Sequence, residues 1–160
     1  MAKILASNGL KVIELGDLAK EKKLLEKLDR KRGTYEVDVK KLDRALSDTE
    51  SDQVTILVGH LSHLVSSDTV VVLRCRPSVL AVRLKARGYL DRKVAENAEA
   101  EALDVILVES VETGREVYEI DTTNITTEET AKAVMAILAG EKVKYAIGNI
   151  DWSEEALDWS

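Results

Sequence analysis

The sequence has 160 residues, 45% of them hydrophobic and 32% charged, with a formal net charge of −6. That length suits one domain with a real core, and the acidic balance argues against a general nucleic-acid binder, which would carry a basic excess. There is no apolar run of the roughly 20 residues that a bilayer span needs, the start MAKILASNG lacks a signal-peptide pattern, and the single Cys75 cannot form an internal disulfide. A cytoplasmic protein without membrane association is expected.

In chain order, MAKILAS has helical spacing and stops at Asn8-Gly9, but no capping residue precedes it. LKVIEL (10–15) reads as a strand, after which Gly16-Asp17 opens a helix over LAKEKKLLEKL, with Asp17 able to cap it. DRKRGTYEV (29–37) reads as an exposed, mobile connection. Val39, Leu42 and Leu46 mark another helix. VTILV (54–58) and TVVVLRC (69–75) are β-branched runs without clean alternation, as expected of strands covered on both faces of a parallel sheet. Pro77 starts a helix that ends at Gly88. A single long helix is predicted from about Lys93 to Val111, with Val94, Ala98, Ala102, Val105, Ile106 and Val108 near one face. EVYEI (116–120) is a fourth strand. Thr126 caps EETAKAVMAILAG, and the tail containing Trp152 and Trp159 reads as a docking segment with a short last helix.

Strands alternating with helices imply a three-layer α/β fold with a parallel sheet flanked by helices. Ligands in such sheets sit outside the carboxyl ends of the strands. The ends to consider are Leu15-Gly16-Asp17, Val58-Gly59-His60, Cys75-Arg76 and Ile120-Asp121.

Taken singly, the residues at these ends each have an ordinary reading beside a functional one. His60 and His63 would need another ligand to hold a metal, and Cys75 is the only soft candidate, so no metal site is assigned. His63 reads as a turn residue; His60 reads as a turn residue or a group positioning phosphate or water. Arg87 is either a cation at a helix C-terminus or a phosphate ligand. Asp17 reads as a cap rather than a catalytic acid, and Lys20 as part of a solvated face. Asn97, Glu99 and Glu101 are expected on the exposed side of the long helix, Cys75 in the core, and the two Trp residues as packing anchors.

Taken together, GDLAKEK (16–22), GHLSHL (59–64), VVVLRCRP (70–77), RLKARGYLDRKVAENAEAEALDVILVESVE (83–112) and the closing DWS resemble one family. The chain is similar to the archaeal and eukaryotic adenylate kinases that also assist late maturation of the small ribosomal subunit. The resemblance spans nearly the whole chain. It implies a P-loop NTPase core of the nucleoside monophosphate kinase type over residues 1–160, with a monophosphate flap at about 14–37 and a lid at about 86–96. It implies transfer of a phosphoryl group from ATP to AMP, giving two ADP, together with ATPase activity. By the same resemblance, Arg87 would meet the ATP phosphates, Gly16, Asp17 and Lys20 would lie near the monophosphate, and His60 would sit at the reacting water or acceptor. Mg2+ would enter with ATP. The partners implied are a small-subunit ribosomal protein and the pre-ribosomal particle.

Three departures accompany the resemblance. No G-x-x-x-x-G-K-[ST] run occurs in the 160 residues, so the phosphate nest and its lysine are missing and the chain as written is expected to be inactive. Family members begin with a strand and that loop, the strand lying centrally between those at 54–58 and 69–74; here the chain starts inside the following helix, from a late-assigned start or a true truncation. Val58 stands where an aspartate organises magnesium, and Ile125 where many relatives place a lysine near the base. A non-catalytic relative kept as a ribosomal-protein binding module is the rival expectation, and an α/β scaffold with no nucleotide role is a third.

Overall fold

The helical spacing of AKILAS becomes α1 (Ala2–Ser7), whose Leu5 is fully buried. The computed structural model describes residues 1–29, 34–47 and 53–157, and the chain divides into two units, Met1–Ser67 and Asp68–Ser160.

In the first unit β1 (Lys11–Glu14) runs directly into α2 (Leu15–Glu21). Asp17 lies within the first turn of α2 and does not cap it; the N-cap is Glu14, without a side-chain bond. The helix also ends at Glu21, seven residues before the Leu28 its sequence suggested. Lys23 takes a left-handed φ of 55°, and the Leu24 amide donates to the Ala19 carbonyl at 2.8 Å, closing the last turn. The next residues form β2 (Leu25–Asp29), paired antiparallel with β3 (Thr34–Val37). The expected mobile connection over 29–37 is therefore partly a strand, and its residues 30–33 lie outside the described residues. Tertiary pairing outweighs helix propensity here, because it satisfies the backbone while Leu24, Leu25 and Val37 pack against Leu15, Leu18, Ala19 and Leu42.

α3 (Val39–Ser47) starts at Asp38, whose carboxylate accepts the amides of Lys41 and Lys40, at 3.2 and 2.9 Å, and is held below its ordinary pKa by those bonds. Leu42 and Leu46 face the core as the spacing predicted. Asp43 ties down the end of the unit by accepting the Ser66 amide and hydroxyl at 2.6 and 2.9 Å. β4 (Thr55–Val58) pairs parallel with β1, Lys11 opposite Thr55 and Glu14 opposite Val58.

The second unit is built on a parallel pair, β5 (Thr69–Arg74) and β6 (Glu116–Asp121), with Thr69 opposite Glu116 and Arg74 opposite Asp121. Along β5, Val70, Val72 and Arg74 are buried while Leu73 is exposed, an alternation the apolar run did not announce. α4 (Pro77–Ala86) follows β5. The long helix expected over 93–111 is two helices, α5 (Asp91–Ala102) and α6 (Val105–Glu112), separated by Asp104 at a left-handed φ of 55°. Val94, Ala98 and Ala102 line the buried face of α5, whereas Val105, Ile106 and Val108 are exposed. The break has a cause: the Asp104 carboxylate is drawn into an ion pair with the buried guanidinium of Arg74. Aspartate tolerates the left-handed region better than most residues.

Arg74, 1% exposed, also donates from Nε to Glu101 at 2.7 Å and from Nη1 to Glu119 at 3.0 Å. Burial alone would lower its pKa, but the carboxylates of Glu101 and Asp104 outweigh that and hold it above the usual arginine range. Glu101, expected on a solvent face, belongs to this cluster, and Trp152 donates its indole N–H to the same carboxylate at 3.0 Å. Glu119 accepts the amides of Gly148 and Asn149 at 2.9 and 3.0 Å. The tail, with its short α8 (Ser153–Leu157), is thereby docked as expected through Trp152; Trp159 lies outside the described residues.

α7 (Thr127–Leu138) has the capping box read from the sequence. The Thr126 hydroxyl accepts the Glu129 amide at 3.2 Å, and the Glu129 carboxylate accepts the Thr126 amide at 2.7 Å.

Arg74→Met should destabilise the second unit by about 3–5 kcal/mol in urea unfolding, because three carboxylates lose their cation. Arg74→Lys should recover little, since an ammonium cannot fork to separate carboxylates. The Thr126 bonds hold the Glu129 carboxyl below its ordinary pKa. The capping box therefore stabilises fully above about pH 4.3 and fades as pH falls through the lowered value. In thermal unfolding, the advantage of wild type over Glu129→Ala should shrink between about pH 6 and pH 3; a constant gap contradicts this.

Candidate functional site

The carboxyl ends of β1 and β4 lie side by side because Glu14 and Val58 are in register. From there β1 turns at once into α2, carrying Gly16, Asp17 and Lys20, while β4 releases Gly59 and His60. Gly59 permits this approach: a Cβ there would meet the Leu15 Cβ at 3.2 Å, tighter than side chains ordinarily pack. Four of the five site residues expected from the sequence thus gather at one end of one strand pair. A Cβ on Gly16 would face open space, so its backbone is accessible. His60 is exposed. Lys20 and Asp17 form an exposed ion pair at 3.3 Å, worth little to stability and available to other partners. His63 lies in a short 3-10 turn, Ser62–Leu64, and is buried.

The second unit has its own strand end, where β5 and β6 stop together. The Thr122 amide and hydroxyl both donate to the Arg74 carbonyl at 2.8 Å, and the Arg76 amide donates to the Thr123 hydroxyl at 2.9 Å. From α4, Arg83 reaches back across this junction, donating to the Thr122 and Thr123 carbonyls at 2.9 Å each and to the Cys75 sulfur at 3.3 Å. Burial pushes the Cys75 thiol up, against the pull of Arg83, which leaves it a protonated core residue. Arg87 is the C-cap of the same helix, one turn beyond Arg83, and is exposed.

Sequence reading missed Arg74, Arg83 and Glu119. The available signals were an arginine closing a β-branched run and a glutamate between the buried Tyr118 and Ile120; charges in such places are retained when paired. Among the described residues no three His, Cys, Asp or Glu side chains come together as a metal-ligand set.

Residues 1–104 match the family model described as AAA domain. The chain belongs to that family. Proteins named "Putative adenylate kinase" match it over most of its length. The one from Archaeoglobus fulgidus is 44% identical, covering 99% of this chain and 86% of its own. That from Thermococcus onnurineus is 44% identical over 79% of this chain and 70% of its own, and that from Methanocaldococcus jannaschii 38% over 94% and 83%. The fold is accordingly an α/β fold of the P-loop NTPase type with small parallel sheets, and the chain is a member of a kinase family, phosphotransferases by reaction class.

Loss of the close approach at Gly59 is measurable. Gly59→Ala should force β4 and α2 apart by a few tenths of an ångström and lower stability by roughly 1–3 kcal/mol, read by urea unfolding. Because the contact is to the Leu15 Cβ, which alanine keeps, adding Leu15→Ala should recover none of that loss and should add the cost of truncating a buried core leucine; a double variant more stable than Gly59→Ala would place the strain elsewhere.

Proposed function

We propose that the chain is an adenylate kinase of broad nucleoside monophosphate specificity, transferring the terminal phosphoryl group of ATP to AMP to give two ADP, with ATPase activity when water replaces the acceptor. The observation that carries the reading is 44% identity to a protein of that name over 99% of this chain. The gathering of Gly16, Asp17, Lys20 and His60 at one strand end supports it. In this reading residues 1–160 form a three-layer nucleoside monophosphate kinase domain, with the monophosphate flap at about 14–37 and the lid at about 86–96. Lys20 and the Gly16-Asp17 turn take the monophosphate, His60 orients the acceptor or attacking water, and Arg87 neutralises charge on the ATP phosphates.

The groups present fit this chemistry unevenly. Lys20 and Arg87 are exposed cations suited to phosphate. Magnesium prefers carboxylate and water oxygens, and the end of β4 offers Val58 instead. No step is therefore assigned to the metal. The 160 residues also contain no G-x-x-x-x-G-K-[ST] run, so by themselves they lack the backbone nest for triphosphate. A role in late small-subunit ribosome and rRNA maturation, through a small-subunit ribosomal protein and the pre-ribosomal particle in the cytoplasm, completes the proposal. The second reading is a non-catalytic binding module, favoured by Val58 and Ile125.

Calorimetric titration of the 160-residue chain with ATP should give a dissociation constant no tighter than about 1 mM; micromolar binding would overturn the phosphate-site argument. A longer polypeptide that includes the in-frame codons upstream of Met1 should produce ADP from ATP and AMP if those codons supply the glycine-rich loop. In that polypeptide Arg87→Ala should lower kcat by about 10²-fold or more, with Arg87→Lys recovering only part. Lys20→Ala should mainly raise KM for AMP. Turnover absent from both polypeptides would favour the binding-module reading.

A further inference from the structure

Of the four asparagines in the chain, Asn8 alone is followed by glycine; Ala98, Ile125 and Ile150 follow Asn97, Asn124 and Asn149. A side chain on the following residue screens the backbone nitrogen between the two, and Gly9 has none. Both Asn8 and Gly9 are exposed, where α1 gives way to β1. The structure sets a gate on the reaction that this pair invites. Asn8 is the C-cap of α1, at φ −90° and ψ 14°. Its Nδ2 donates to the Ile4 carbonyl at 2.8 Å, and the Gly9 amide donates to the Ala6 carbonyl at 3.0 Å. Gly9 takes a left-handed φ of 85°, which lets the Leu10 amide return to the Leu5 carbonyl at 3.3 Å. The carboxamide carbon and the nitrogen that could attack it are thus each held by a different carbonyl of the last turn. The gate is a light one, because α1 has six residues and is anchored by the single buried Leu5. Such helix ends open locally far more often than the domain unfolds.

We propose that Asn8-Gly9 is a deamidation site gated by the hydrogen bonds that end α1. When the last turn opens, the Gly9 backbone nitrogen loses its proton and forms a bond to the Asn8 Cγ. The Cγ–Nδ2 bond breaks, and the amide nitrogen leaves as ammonia with that proton, closing a five-membered imide. Water then opens the imide at one carbonyl or the other, giving aspartate at position 8 or an isoaspartyl linkage with one more methylene in the main chain. No oxidant or reductant takes part. Either product puts a carboxylate at the negative end of α1 and replaces a donor to the Ile4 carbonyl by an acceptor. The isoaspartyl form also lengthens the chain shortly before Lys11, where the register of β1 on β4 begins. The site is independent of the kinase reading, and it lies in the unit that carries Gly16, Asp17, Lys20 and His60.

The test is incubation of the full chain at neutral and at mildly alkaline pH, followed by digestion and mass mapping of each asparagine for the gain of acid over amide. Asn8 should convert ahead of Asn97, Asn124 and Asn149, and faster at the alkaline pH. It should convert at least about tenfold more slowly than in a free peptide of residues 2–14, which is too short to hold a helix in water. Ala6→Gly, at an exposed position of α1, loosens the last turn and should speed conversion about fivefold. Hydrogen exchange at the Gly9 amide should accelerate in that variant by the same factor, tying the rate to opening of the bond to Ala6. Asn8→Gln, whose carboxamide is one methylene further from the Gly9 nitrogen, should stay intact and set the background. Earlier conversion at another asparagine, conversion as fast as in the peptide, or an Ala6→Gly rate equal to that of wild type overturns the proposal. So does a gain in conversion that amide exchange does not match, or no conversion of Asn8 in either chain.

Discussion

One buried guanidinium organises the second unit. Arg74 closes β5 with its side chain turned inward, and a bare charge there would cost several kcal/mol. The cost is offset because Glu101 comes from α5, Asp104 from the break before α6, and Glu119 from β6, each meeting a different edge of the same planar group. Those carboxylates do further work at one remove. Glu101 also holds the Cys75 amide and the Trp152 indole, and Glu119 holds the tail at Gly148 and Asn149. Helix break, strand end and tail position all follow from one residue that must be fully paired.

The first unit reaches its geometry by steric means. A glycine at the end of β4 lets Leu15 approach, and in-register parallel pairing brings both carboxyl ends to the same level. The polar groups there remain at the surface: Gly16, Asp17, Lys20 and His60 are exposed. The two strand ends therefore differ in kind. That of β1 and β4 keeps Asp17, Lys20 and His60 exposed, while that of β5 and β6 uses Arg83, Thr122 and Thr123 to hold itself together.

Legibility from the sequence followed the range of the interactions. Elements set by local chemistry were read correctly: the Thr126 capping box, Pro77 at the start of α4, the apolar spacing of α3, and strands over 54–58, 69–75 and 116–120. Strand ends as the place to look for a site were also legible, because parallel sheets present ligands there whatever their detailed sequence. Errors fell where a distant partner outbid local preference. Leu25–Leu28 end a run of good helix formers but fall in β2 because β3 was available to pair, and Asp104 interrupts a run with helical spacing because its partner Arg74 lies 30 residues away in the chain. Glu101 looked like any solvated glutamate until Arg74 and Trp152 were seen to converge on it.

By itself the sequence determined the element types with strong local signals, the parallel character of the β1–β4 and β5–β6 pairs, and the family resemblance. It also determined that no glycine-rich phosphate loop occurs among these 160 residues. Tertiary structure alone decided that α5 and α6 are separate helices, that α6 keeps an open apolar face, and that Arg74 rather than a hydrophobic residue anchors the second unit. The physical reason is the reach of the forces involved. Capping, turn chemistry and apolar periodicity act within a few residues, whereas charge pairing in a low-dielectric interior depends on which groups the folded chain brings within about 3 Å.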